Sequence, residues 1–171
     1  MLAYTVLVLA VGLERLAELV VARRNLAWSR SRSGVEFGAR HYPFMVVLHV
    51  GLLAACLLEA GLAHRPFVPA LGWTMLVVVL AAQGLRWWCI STLGHQWNTK
   101  VVIVPGAPRI TGGPYRFFSH PNYVAVAAEG IALPLVHSAW VTAAVFTVLN
   151  AVLMKVRISV ENQALAQLAT G

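Results

Sequence analysis

The chain has 171 residues, 59% of them hydrophobic and only 11% charged, where an ordinary soluble domain has about 45–50% apolar and about 25% charged residues. An ordinary soluble domain is thereby excluded. Basic and acidic groups number 13 and 6, a net charge of +7, and with no aspartate present the acidic side consists of individual glutamates. A nucleic-acid binder keeps its Lys and Arg on one solvated face of a polar surface, and this chain has little polar surface to carry them, so nucleic acid is not an expected partner. Cys56 and Cys89 each stand alone in apolar sequence without a CxxC, and read as buried thiols.

Taken in chain order, the apolar runs are long. Crossing a bilayer core takes roughly 20 apolar residues, and residues 2–22, 43–63 and 68–90 each supply such a run. The run 2–22 lacks a basic leading region and a small-residue cleavage site and carries Glu14, Arg15 and Glu18, so it reads as a retained helix rather than a signal peptide. Residues 122–156 form an apolar block too long for one crossing, interrupted by Pro134, His137 and Ser138. The block predicts a hairpin of two crossings, 122–136 and 138–157. The expected fold is therefore a single all-α integral membrane domain of about five transmembrane helices, with a C-terminal helical hairpin.

Short loops rich in Lys and Arg stay cytoplasmic. Arg23, Arg24, Arg30, Arg32, Arg40, Arg86, Lys100, Arg109, Arg116, Lys155 and Arg157 fall on one side of the five crossings, with Arg65 on the other and Arg15 within the first. This partition predicts an N-terminus outside and a C-terminus in the cytoplasm, with anionic membrane lipids as the natural partner of the basic excess. Residues 91–121 form the long cytoplasmic interval: Gly106, Gly112, Gly113 and its prolines forbid continuous helix. Irregular backbone beside a membrane usually lines a site, so the function is expected there and on the two helices that follow.

Several chemistries are unwritten. There is no GxGxxG, no GxxxxGK[ST], no HExxH and no GxSxG, and the six histidines show no ligand spacing, so no nucleotide fold, metal site or nucleophile elbow is indicated. Three clusters remain. In the first, Gly112-Gly113-Pro114-Tyr115-Arg116 precedes Ser119-His120-Pro121-Asn122-Tyr123 at the start of the fourth helix. Asn122 is placed to cap that helix, whose N-terminal amides could receive an anionic or zwitterionic cofactor; the alternative is a plain turn with Tyr115 and Tyr123 as interfacial aromatics. In the second, Arg157 and Glu161 are spaced i, i+4 on one helix face, either as a site or as a basic membrane-exit anchor beside a surface pair. The third is the set of glutamates at membrane depth, where an ionisable group normally faces the bundle interior and is paired. Glu14, Arg15 and Glu18 suit structural interhelical pairing; Glu129, without a local partner and one to two turns below the His120–Tyr123 segment, is a candidate site residue. Glu59 reads as interfacial. These glutamates also motivate an alternative class, a small transporter or channel-like protein, but the internal repeats expected of one are not seen.

Gly113-Pro114-Tyr115-Arg116, then His120-Pro121-Asn122-Tyr123, an apolar hairpin, and Arg157-x-x-x-Glu161 together resemble the isoprenylcysteine carboxyl methyltransferase (ICMT) family of integral-membrane enzymes, over about residues 90–168. The longer form HPNYxxVxxE, His120 to Glu129, followed by Pro134-Leu135, is similar to the small bacterial branch linked to polyketide products such as alkylpyrones. The resemblance implies S-adenosylmethionine (SAM) as methyl donor at the cytoplasmic side, with Gly113, Tyr115, Arg116, His120, Pro121, Asn122 and Tyr123 in the cofactor pocket. It further implies Arg157 and Glu161 as catalytic residues; Trp97 and Glu129 are the substrate-binding candidates beside them. The acceptor is then a lipidic molecule entering from the bilayer: a long-chain polyketide hydroxyl or a prenylcysteine-type carboxylate. Two departures stand out: Ser119-His120-Pro121 where the family commonly has RHP, and Glu161-Asn162 where it often has two successive glutamates.

Overall fold

The computed structural model describes residues 1–169, with side chains to Ala166. Five helices run alternately up and down: α1 (Leu2–Arg30), α2 (Tyr42–Leu62), α3 (Pro69–Leu93), α4 (Pro121–Leu135) and α5 (Trp140–Ala169). Two short strands, β1 (Val35–Phe37) and β2 (Val101–Ile103), pair antiparallel with Glu36 opposite Val102. Pro43, Pro69 and Pro121 stand in the first helical turns of α2, α3 and α4, where a missing N–H costs nothing because those amides have no intrahelical partner.

The C-terminal hairpin forms where the sequence predicts it. α4 ends at Leu135, Ser138 takes a left-handed φ of 56°, and the Ala139 amide donates to the Pro134 carbonyl at 3.0 Å before α5 begins. Helix ends differ from the apolar limits. α1 continues past residue 22 to Arg30, and α5 past 157 to Ala169, because neither polar extension contains a Gly or Pro to stop it. Among the described residues, three helical segments are long and apolar enough to cross a membrane: Tyr42–Leu62, Pro69–Gln96 and Trp140–Ala166. α1 carries three ionisable groups mid-length, and the 15 residues of α4 span only about 22 Å.

The bundle is apolar outside as well as within. Leu9, Leu13, Leu16 and Val20, spaced along one face of α1, are each at least half exposed, as are Val47, Val50 and Leu58 on α2 and Val141, Val148 and Val152 on α5. Apolar stripes of that extent on every long helix are what a lipid surround requires. The molecule is an integral membrane protein. Its dry core, Tyr4, Val8, Leu52, Cys56, Val79, Leu133 and Phe146 among others, lies toward the end of the bundle away from the strands. There the Tyr4 hydroxyl donates to the Leu133 carbonyl at 3.1 Å, tying α1 to α4.

α4 and α5 approach closely at Gly130, where a Cβ would overlap the Phe146 ring. Gly130→Val is expected to destabilise the protein by about 1–3 kcal/mol through overpacking, read as a lowered thermal midpoint in detergent.

Candidate active site

The strand end of the bundle carries the site. Asn25 of α1 donates from Nδ2 to the carbonyls of Gly94 (3.0 Å) and Trp97 (2.7 Å), and Asn98 Nδ2 donates to the Ala22 carbonyl at 3.3 Å. These bonds pin the segment after α3 against α1. Lys100 Nζ meets Glu36 Oε1 at 2.6 Å, adding a charge pair to the small sheet. A 3-10 turn over Gly113–Arg116 then packs on α3: Gly113 has φ 55°, and a Cβ there would lie 2.5 Å from Thr92 Oγ1. Glycine is required at that position by both conformation and space. The turn delivers Tyr115, whose phenol burial pushes well above its ordinary pKa, aided by the neighbouring Cys89, so it stays protonated.

Two residues of α5 converge on the hydroxyl of Tyr123 in α4. Arg157 Nε of α5 donates to it at 2.8 Å, and the hydroxyl in turn donates to Glu161 Oε2. Arg157 and Glu161, predicted to share a helix face, are therefore joined through a tyrosine of α4. His120 stacks on the Tyr123 ring with centroids 5.4 Å apart, and its Nδ1 lies 3.7 Å from Glu161 Oε1. Arg157 is buried, and its Nη1 points to the Met45 sulfur at 3.1 Å. Among the described residues no carboxylate lies within 4.0 Å of this guanidinium. His41, at the start of α2, is held below its ordinary pKa first by burial and then by the charge of Arg157, so it adds no second cation at neutral pH.

Two cavities meet here. A small one of about 130 Å³ is lined by polar and aromatic groups including Tyr115, His120, Asn122, Tyr123, Arg157 and Glu161. The other, about 600 Å³, has mostly apolar walls from α1, α2, α4 and α5, a size typical of small-molecule sites. Trp97, Asn98, Asn122, Tyr123 and Arg157 line both. Leu13 and Leu16 of α1 and Val50 of α2 line the larger cavity and are also more than half exposed, so it opens sideways onto the lipid-facing surface. Trp97 Nε1 and Asn122 Oδ1, both buried, have no hydrogen-bond partner among the described residues. An unused donor and an unused acceptor in the shared wall suit a polar ligand.

Not every residue singled out from the sequence lies on these walls. Gly113, Arg116 and Pro121 line neither cavity; Gly113 shapes the turn, Pro121 opens α4, and Arg116 is exposed with its guanidinium 5.9 Å from the Phe117 ring centre. The position capping α4 is His120 rather than Asn122, which sits inside the first turn without a capping bond. Glu129, which has no local partner in the sequence and is a substrate-binding candidate, accepts from Arg15 Nη2 at 2.5 Å and lines neither cavity. Its setting is a buried network. Arg15 Nη1 donates to both oxygens of Glu18 (2.8 and 2.9 Å), Arg86 holds Glu18 through Nε and Nη2, and Gln83 joins Arg15 to Glu14. The membrane-depth glutamates thus serve α1–α3–α4 pairing, which removes the ground for a transporter. Met45, Tyr42, His49 and Asn98, which line the larger cavity, belong to no motif; for His49 the signal available was a polar group within an otherwise apolar run.

The site is thus a polar and an apolar cavity that share one wall within a membrane-embedded helical bundle. Residues 74–167 match the isoprenylcysteine carboxyl methyltransferase (ICMT) family, more than half of the chain, and the chain belongs to that family of membrane methyltransferases. It is similar to the uncharacterized protein YpbQ of Bacillus subtilis, 37% identical over 155 residues and covering 90% of this chain and 91% of that one. An uncharacterized protein of Haemophilus influenzae is 25% identical over 141 residues, covering 81% and 80%.

Glu18 is 1% exposed and holds two guanidiniums. Glu18→Ala is expected to cost about 3–5 kcal/mol by leaving buried positive charge unpaired, measured by thermal unfolding in detergent, with a smaller loss in Glu18→Ala/Arg86→Met.

Proposed function

We propose that the protein is a SAM-dependent O-methyltransferase of the cell membrane whose acceptor is a lipidic molecule arriving from the bilayer. The observation that carries this reading is the wall of Tyr123 and Arg157 shared by a polar and an apolar cavity. All five helices cross the membrane, with the N-terminus outside and the strand end, where nearly all of the cations gather, in the cytoplasm. The polar cavity fits SAM in its chemistry: Glu161 offers negative charge to a cationic donor, the rings of Tyr115, His120 and Tyr123 offer faces, and the unsatisfied Trp97 Nε1 and Asn122 Oδ1 offer a donor and an acceptor. SAM supplies a methyl group on a sulfonium, which an oxygen nucleophile takes by in-line displacement.

The protein's part is to hold and orient. Arg157, a buried cation without a carboxylate partner among the described residues, binds the anionic oxygen of the acceptor. Tyr123, hydrogen-bonded to both Arg157 and Glu161, fixes the two with respect to each other, and alignment of the reacting atoms is the largest contribution available to such a reaction. A carboxylate acceptor of the prenylcysteine type needs no base. A polyketide enol or hydroxyl of the alkylpyrone type must lose a proton, and Glu161 takes it. The polyketide hydroxyl is favoured by the His120 to Glu129 form of the motif. In the sideways opening of the apolar cavity, a chain can remain in lipid while its head reaches Arg157.

Purified protein in lipid nanodiscs, given methyl-labelled SAM and either a long-chain alkylpyrone or a prenylcysteine, is expected to label one of them. No transfer to either, together with no SAM binding by calorimetry, overturns the reading. Arg157→Ala is expected to lower kcat/KM by about 100-fold while SAM binding changes little. Tyr123→Phe, which keeps the ring and removes the bridging oxygen, is expected to lower kcat by about 10- to 100-fold with the fold intact.

A further inference from the structure

The larger cavity is not uniformly apolar. His49 of α2, Arg15 and Glu18 of α1 and Arg86 of α3 all lie on its wall. Their depth follows from helix geometry. Met45 touches Arg157, and His49 is one turn further along α2, about 6 Å deeper; Glu129, which Arg15 holds, is six residues past Tyr123 on α4, about 9 Å deeper. A band of polar groups therefore rings the cavity between one and two helical turns below the Tyr123–Arg157 pair.

The hydrogen-bond bookkeeping of this band is informative. Glu18 is saturated by Arg15 and Arg86, and Arg15 gives both its terminal nitrogens to Glu18, Gln83 and Glu129. Arg86 uses Nε and Nη2 on Glu18, leaving Nη1 without a bond. His49 Nδ1 lies 2.8 Å from the Met45 carbonyl. A carbonyl can only accept, so Nδ1 carries the proton and Nε2 is left with a lone pair. The guanidiniums of Arg86 and Arg15 are within electrostatic reach of this ring. An unused guanidinium nitrogen and an imidazole acceptor thus belong to residues on the wall of one largely apolar cavity. A plain methylene chain lying there would bury these groups against hydrocarbon, which is unfavourable, whereas a hydroxyl can donate to a histidine and accept from a guanidinium at once.

We infer that the acceptor carries a second polar group, a hydroxyl on its chain about 6–9 Å from the methylated oxygen, and that His49 recognises it. This rests on the larger cavity being the acceptor site. His49 is then a specificity-determining residue that reads the acceptor's body, distinct from Arg157 and Tyr123, which act at its reacting end.

The full chain in detergent, loaded with SAM, is titrated with hexadecanoic acid and with its mid-chain monohydroxylated isomers as probes. The isomers hydroxylated near the expected depth should bind about 10-fold more tightly than the unsubstituted acid, and His49→Phe should abolish that preference while leaving SAM affinity unchanged. His49→Gln, which keeps an acceptor, should restore part of the preference and guards against a folding defect in the first variant. Equal affinity for all probes in the unaltered protein overturns the inference and leaves the acceptor cavity standing. A preference that persists in a folded His49→Phe removes the role of His49. No binding of any probe, with SAM bound normally, overturns the acceptor-cavity reading and the inference with it.

Discussion

The buried charge network between α1, α3 and α4 is the constraint from which the site follows. Each of its carboxylates and guanidiniums would be costly alone at membrane depth, by roughly 2.5–3.5 kcal/mol on insertion scales, so the three helices are held at the one depth and rotation that lets Glu18 meet both Arg15 and Arg86 and lets Glu129 meet Arg15. Apolar packing alone discriminates weakly between neighbouring registers in lipid, because tails are as apolar as leucine. Charge pairing discriminates strongly. Once α4 is set by Glu129, its first turn presents Tyr123 to α5, and the short hairpin at Pro134–Trp140 fixes which residues of α5 it meets.

The order of contributions is instructive. The far end of the bundle is dry and packed around Leu133 and Phe146; the middle is held by ions; the strand end holds the polar cavity, closed by irregular backbone that Asn25 and Asn98 secure to α1. Each level positions the next. Gly113 belongs to this logic: its left-handed turn against Thr92 and Trp88 carries Tyr115 toward the cavity without itself lining it.

How much of this the sequence discloses depends on the range of the interaction. The hairpin break was legible because Pro134, His137 and Ser138 are local signals, and the shared face of Arg157 and Glu161 because i, i+4 spacing is local too, although the two are joined through Tyr123 rather than paired directly. The helix ends at Arg30 and Ala169 were obscured because apolarity marks where lipid ends, whereas helicity continues until something stops it. The partner of Glu129 was not legible because it is 114 residues away, a distance no periodicity bridges. The Tyr123 bridge was hidden for the same reason: each of its three residues was singled out, yet only the packing of α4 on α5 shows that one hydroxyl joins the other two. Asn122 carried a helix-capping signature, but the cap is His120, two residues earlier, with Pro121 opening the helix, so Asn122 becomes a wall residue.

The flank of the larger cavity, where Leu13, Leu16 and Val50 are at once lining and lipid-facing, sets the frame in which encounter is counted. A molecule that comes through such a side door never passes through bulk water, so its effective concentration is its mole fraction among the surrounding lipids. Diluting it with inert lipid would slow encounter even at a fixed total amount, and a more water-soluble analogue would arrive less often, not more. In the proposed function the two reactants arrive from two different solvents, and the wall built from Tyr123 and Arg157 stands between them.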